Sequence, residues 1–375
     1  MNDIAHYIKW RGDLTFDATP LNEVDALILS TMAYFPFDLI VRKTFSSAPV
    51  LISKALTKFK LEKENQMVKE LAELVSSSKR FNSIYAAAFV NEVDESLNTQ
   101  FSAVTFILED EKPFVAFRGT DNSLAGWKEN MDLAYEDQVP AQHKAVKYLR
   151  RVAKRFKGDL LVGGHSKGGN LSVYSAAFSG NEIQNRIDKI YNFDGPGFNP
   201  EVIDNNKFKN ITPKIHTYVP QDSIVGILLE HTEDYVVIRS LERGGANQHN
   251  PLTWEAEPDK FVYMDSLSRL GKFGQENLCD WINGLSYDER REFVNVLYGL
   301  IKKENLQTVD EIFETKNIIS MLNSYAKLGK DEKLAVKDTL SELGSTIMDK
   351  LIIKRLPNII RKGSERDDMN EQENV

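Results

Sequence analysis

The spacing of apolar residues changes character several times along the chain. Asn22 to Met32, NEVDALILSTM, places apolar residues at helical intervals behind an Asn that can cap the first turn. Leu51 to Lys79 is charged with spaced apolar positions, which predicts one or two surface helices. The period then shortens. SAVTFILED and KPFVAFRG are β-branched and aromatic runs on either side of the turn-like Asp110-Glu111, and they predict a hairpin. Beyond it, Ala141 to Phe156 predicts a helix, Asp159 to Gly164 a fully apolar strand, and Leu171 to Phe178 another helix. Lys189 to Phe193, Ile215 to Val219 and Asp234 to Ser240 predict three more strands.

Strands alternating with helices from about residue 100 indicate an α/β fold with a mainly parallel central sheet. After Met264 strand signals cease, and residues 266–356 read as a helical C-terminal region. Residues 357–375 are polar and highly charged, as expected of a disordered tail. The expected organisation is therefore an α/β domain over 1–265, with a helical N-terminal part to about 98, followed by the helical region and the tail. No internal repeat is evident.

Composition narrows the function classes. A chain of 375 residues with 42% hydrophobic content can bury a large core. A net charge of −8 and a pI near 5.5 leave no basic excess to neutralise phosphates, so nucleic acid is not an expected partner. The single Cys279 excludes an internal disulfide framework and a cysteine-rich metal site. The opening MNDIAHYIKWRGDLTF has no apolar core of a secretory leader, and no apolar run reaches membrane-spanning length, so a cytoplasmic location is expected. In SELGSTIMDKLIIKRLPNIIRKG, Lys350, Lys354, Arg355, Arg361 and Lys362 lie among Ile and Leu. Packing on the main domain is the first expectation for these C-terminal helices, and peripheral membrane or partner contact is the second.

The chemistry centres on LLVGGHSKGGNLSVYSAA, residues 160–177. A nucleophilic serine must project from a strand end with backbone N–H groups available to an oxyanion. Small residues two before and two after it let strand and helix approach each other. Gly164-His165-Ser166-Lys167-Gly168 meets that requirement between a strand pattern and a helix pattern. A glycine-rich turn without chemistry would show the same spacing, so partners decide.

A serine nucleophile needs a base and the base an orienting acid, in the order Ser, acid, His for this type of fold. Only His216, His231 and His249 follow Ser166. His216 lies within a strand pattern and His231 precedes one, whereas His249 sits in the loop GGANQHNPLTW after the last strand and ranks first. The acid candidates are Asp222, in YVPQDSIVG past a strand end, and Asp194, in NFDGPGF. Asp222 ranks first as the partner of a histidine from the following loop, and Asp194 second, as a shaper of the pocket wall. An oxyanion hole requires the N–H of Lys167 and one from an earlier loop, for which Thr120 in AFRGTD is placed. Arg118 is expected to brace that loop through a salt bridge, and Trp127 and Asp132 to serve packing and capping.

These motifs, AFRGT followed by Trp and Asp, then GHSxGG, then Asp and His, resemble the class 3 lipases. YIKWRGDLTFDATPLNEVDALILS, FVNEVDESLNTQFSAVTFILEDEKPFVAFRGTD, GGHSKGGNLSVYSA and QHNPLTW together resemble the bacterial Mbeg1-like family over roughly residues 5–265. The resemblance implies an α/β-hydrolase fold with Ser166, Asp222 and His249 as the triad and no metal or organic cofactor. Lys167 departs from the class 3 pattern, in which an apolar residue follows the serine, and its charge is expected to favour anionic substrates or bias the oxyanion field. The expected activity is hydrolysis of small-molecule or lipid carboxylic esters. The alternatives are a catalytically degenerate fold serving as an interaction module, and a thioesterase or peptidase using the same triad.

Overall fold

The computed structural model describes residues 2–304, apart from 97, 109–110, 122, 204–205 and 277–283. Its centre is an eight-stranded sheet whose spatial order is the chain order. The strands are β1 (Val50–Leu51), β2 (Tyr85–Asp94), β3 (Thr99–Ile107), β4 (Pro113–Phe117), β5 (Leu160–His165), β6 (Ile187–Phe193), β7 (Ile215–Pro220) and β8 (Tyr235–Ile238). The pairings from β1 to β4 are antiparallel and those from β4 to β8 parallel. The hairpin expected around residue 110 forms, with Ala103 opposite Phe117 and Ile107 opposite Pro113.

The central strands are buried on both sides, which is why their sequences are continuously apolar rather than alternating. On β4, Phe114 and Ala116 enter one core while Val115 and Phe117 enter the other. On β5, Leu161 is separated in the same way from Leu160 and Val162. Five helices precede the hairpin: α1 (Ile4–Arg11), α2 (Glu23–Met32), α3 (Ile52–Leu56), α4 (Gln66–Ser77) and α5 (Lys79–Asn82). Four follow before β6 among the described residues: α6 (Leu124–Asp132), α7 (Pro140–Arg155), α8 (Lys167–Phe178) and the short α9 (Asn181–Arg186). The apolar faces of α7 and α8 cover the Val115 side of the sheet, and α2 lies on the other side across β4, β5 and β6. Residues Val24 to Met32 of α2 are all buried, because the sheet lies on one side of it and α4 on the other.

The segment before residue 98 therefore does more than the expected helical part. It supplies the layer over one sheet face, and it also contains β1 and β2. The YAAAFVNEVD run of β2 is rich in alanine, which has little strand preference, so no two-residue period marks it. The region beyond Met264 is helical where described, as Arg269–Gly274 and Tyr287–Lys303, and the latter packs on α6. The expectations for 305–356, for the tail, for the basic cluster from Lys350 to Lys362 and for Cys279 lie outside the described residues. Among the described residues no helix is long and apolar enough to cross a membrane.

One buried ion pair organises the N-terminal layer. Asp25 Oδ1 accepts from Arg80 Nε at 2.7 Å and Tyr7 Oη at 2.9 Å, while Oδ2 accepts from Arg80 Nη2 at 2.5 Å. Arg80 Nη1 donates to the carbonyls of Leu14, Thr15 and Thr19, so one guanidinium gathers the whole loop between α1 and α2. Both side chains are fully buried. Removing one partner strands the other charge, so Arg80→Met should lower stability by about 3–5 kcal/mol. Urea unfolding should show this as a clear fall in midpoint. Arg80→Lys should recover little of the loss, because an ammonium cannot reproduce the planar fork.

Candidate active site

At the carboxyl end of β5 the chain turns into α8 through Ser166, which adopts φ 60° and ψ −133°. A non-glycine residue held at positive φ is strained and persists only where its surroundings fix it. Here the Ser166 N–H donates to Phe193 O at 2.9 Å, and the Gly169 N–H donates to Ser166 O at 2.8 Å. A Cβ on Gly164 would lie 2.2 Å from Gly168 O, and one on Gly168 would lie 2.1 Å from Phe117 O. Strand β4, strand β5 and the first turn of α8 thus meet backbone to backbone, and only glycine fits at 164 and 168. The expected strand–serine–helix turn is formed.

His249 follows the short helix Gly245–Gln248 and lies with its ring centroid 4.7 Å from that of His165, the residue before the serine. Its Nδ1 is 2.6 Å from Asp194 Oδ2. The other Asp194 oxygen accepts from Ser223 Oγ at 2.5 Å and from the Gly226 N–H at 3.1 Å. Asp194 is fully buried, so its carboxylate is satisfied entirely by these donors and the imidazole. A carboxylate on Nδ1 fixes the tautomer that leaves Nε2 able to accept a proton. Ser166 Oγ and His249 Nε2 make no hydrogen bond to each other among the described residues. Such contacts commonly tighten only when substrate binds.

The structure overturns the expected pairing. Asp222 does not meet His249. Its Oδ2 accepts from the Gly244 N–H at 3.1 Å and Gln248 Nε2 at 2.8 Å, and its Oδ1 accepts from Ser268 Oγ. Asp222 is a strut that fixes the turn and short helix leading into His249. The reason is the fold of the loop after β7, which turns Ser223 and Gly226 inward to donate to Asp194 and leaves Asp222 facing residues 244–248. The Gly-Pro-Gly segment beside Asp194 does form cavity wall, through Pro196.

The other histidines have structural partners. His231 Nε2 donates to Gly226 O at 2.9 Å, with Glu233 3.4 Å from its Nδ1. His216 packs on Tyr191 with ring centroids 5.7 Å apart, and burial lowers its pKa.

The Lys167 side chain also departs from expectation. It is buried, with Nζ donating to Gln100 O at 2.7 Å and to Glu129 Oε2 at 2.8 Å. Burial pulls this ammonium below the usual lysine range against the opposing field of Glu129. Its ammonium is enclosed beneath the serine turn rather than exposed. Its backbone N–H, at the start of α8, finds no backbone acceptor among the described residues, and neither does that of Thr120. The Thr120 loop is close to the serine: a Cβ on Gly119 would lie 3.0 Å from Ser166 Cβ. Arg118 braces that loop as expected, donating to Asp121 Oδ2 at 3.2 Å and to Asn91 Oδ1 at 3.0 Å. Asp132 accepts from Lys128 Nζ and Tyr135 Oη.

Two contributors have no signal in the motifs. The first is Tyr34, from the N-terminal layer. Its hydroxyl is packed against Gly119, where an added Cβ would lie 2.1 Å from it, and lies 3.4 Å from His165 Nδ1, while His165 Nε2 lies 2.8 Å from His249 O. A carbonyl only accepts, so His165 carries its proton on Nε2 and receives the Tyr34 hydroxyl at Nδ1. Burial, and then the neighbouring His249, hold its pKa well below the ordinary value, so it stays neutral. These contacts link the Thr120 loop to the His249 backbone across the serine turn.

The second is an apolar cavity of about 290 Å³ with Ser166 in its wall. Trp127 and Met131 of α6, Leu228 of the loop after β7, and Leu285, Phe293 and Val294 from the C-terminal region complete it.

Comparison with known proteins identifies a family. The crystal structure of M37 lipase is 15% identical, with 54% of this chain and 68% of that one covered and a TM-score of 0.36. No curated protein matches the chain. The model of the Mbeg1-like family matches residues 75–299, more than half of the sequence, and the chain belongs to the Mbeg1-like family.

Proposed function

We propose that the protein is a serine hydrolase that cleaves carboxylic esters of lipid-like molecules through an acyl-enzyme. The observation that carries this reading is the 2.6 Å contact between Asp194 and His249 beside a serine held at positive φ. Ser166 Oγ attacks the ester carbonyl while His249 Nε2 takes its proton. The tetrahedral oxyanion is held by the N–H groups of Lys167 and Thr120. Collapse expels the alcohol, which leaves with the proton from His249. Water then attacks the acyl-enzyme with His249 again as base, giving the carboxylic acid and restoring Ser166. Asp194 holds the imidazole and stabilises the imidazolium. The apolar cavity beside the serine favours an ester with an apolar acyl group over a peptide.

Ser166→Ala should abolish labelling by a fluorophosphonate and lower ester turnover by roughly 10⁴–10⁶-fold, with the thermal midpoint little changed. Labelling retained in that variant would remove Ser166 as nucleophile, and a wild-type chain that never labels would favour the interaction-module alternative. Asp194→Asn should cost about 10⁴ in kcat, while Asp222→Asn should cost far less; the reverse order in the same assay would restore Asp222 as the acid.

Tyr34→Phe removes a hydroxyl that touches neither cavity nor reacting atoms. It should lower kcat by about three- to tenfold, the worth of one hydrogen bond, with KM unchanged. A rise in KM alone would show that Tyr34 shapes the substrate site instead of aligning the loops.

A further inference from the structure

The Tyr287–Lys303 helix lies outside the segments in which the catalytic motifs occur, yet Phe293 and Val294 from it and Leu285 just before it line the cavity that contains Ser166. It is also docked at defined points. Arg290 Nη1 donates to Ala134 O at 3.0 Å and Asn199 Oδ1 at 3.2 Å, and its Nε donates to Leu285 O at 2.9 Å. The Tyr287 ring meets the Tyr135 ring edge to face at 5.7 Å. Val294 and Leu285 are buried against the body of the protein. The guanidinium that enters this wall thus has its donors turned onto carbonyl and amide oxygens, and the surface left to a ligand is chiefly apolar.

We infer that this helix is the specificity-determining wall of an acyl-chain site, so that Phe293 and Val294 set the length of chain that Ser166 can process. The inference rests on the ester-hydrolase reading for its catalytic consequence. The size of the cavity sets the class of ligand. A dry apolar cavity of about 150 Å³ holds one benzene. A volume of about 290 Å³ therefore suits a straight acyl chain on the order of eight to ten carbons by the same packing. Each methylene that finds room there should raise kcat/KM by about fourfold, and each beyond the wall should add nothing or obstruct. Phe293→Ala opens the wall and should move the optimum to longer chains. Val294→Trp fills it and should move the optimum to shorter ones.

The test is a series of p-nitrophenyl esters from acetyl to dodecanoyl with the full-length protein and each variant. The expected result is that the ratio of kcat/KM for the octanoyl and acetyl esters falls at least tenfold in Val294→Trp. In Phe293→Ala the dodecanoyl-to-octanoyl ratio should rise several-fold. A second measurement does not depend on catalysis: calorimetric binding of octanoate and dodecanoate to the Ser166→Ala protein, with and without Phe293→Ala. Because Phe293→Ala removes bulk, it also covers the case in which Val294→Trp fails to fold. If the wild-type chain hydrolyses esters but all three proteins share one chain-length profile, the inference is overturned and the ester-hydrolase reading stands. If no ester turns over but the fatty acids bind, with Phe293→Ala shifting the preference to the longer one, the acyl-chain site stands and the ester-hydrolase reading falls. Absence of both turnover and binding overturns both.

Discussion

The carbonyl of Phe117 at the end of β4, the strand of β5 at Gly164 and the first turn of α8 at Gly168 crowd into a space that admits no side-chain carbon. Everything else in the site follows from that contact. Helix α8 can start only if Ser166 takes up a backbone conformation that most residues avoid, and the cost is carried by its bonds to neighbouring elements. The Lys167 N–H at the helix start is left without a backbone acceptor among the described residues. The flanking loops then arrange themselves around a fixed point. Gly119 is packed against the serine from one side, and His165 is drawn toward His249 on the other.

Support for this turn comes from both faces of the sheet. The Lys167–Glu129 pair anchors the first turn of α8 to α6 and to the start of β3 from one side. Tyr34, just beyond α2, reaches it from the other. Buried ion pairs contribute little net stability against apolar replacements, but their directional bonds fix geometry. Here the geometry fixed is the approach of the Thr120 loop to Ser166. The layer organised by Asp25 and Arg80 thereby reaches the serine turn through Tyr34, although neither residue comes near it.

The glycine-flanked serine turn, the hairpin, the alternating strands and the place of His249 were legible because each leaves a local mark: glycine spacing, β-branched runs, or position after the last strand. The carboxylate that meets His249 was not. Asp194 and Asp222 both follow strands, and what separates them is whether Ser223 and Gly226 turn inward, a property of a loop that sequence spacing does not encode. The burial of Lys167 left no mark because a lysine at a strand–helix turn is ordinarily exposed, and its enclosure depends on Glu129, 38 positions away. Strand β2 was hidden by its alanines. The cavity was the least legible part of all, since its walls come from α6, the loop after β7 and a helix beyond residue 286, joined only by tertiary packing.

The agreement between spatial order and chain order in the sheet has a consequence for synthesis. Each strand can pair with the one made just before it, so the sheet can be extended at one edge as the chain leaves the ribosome, without waiting for a distant partner. The serine turn is completed when β6 arrives and Phe193 accepts the Ser166 N–H. Its histidine emerges more than 50 residues after that, and the last cavity wall later still. A nascent chain can therefore complete the strands around Ser166 well before His249 and the helix that closes the cavity have been made.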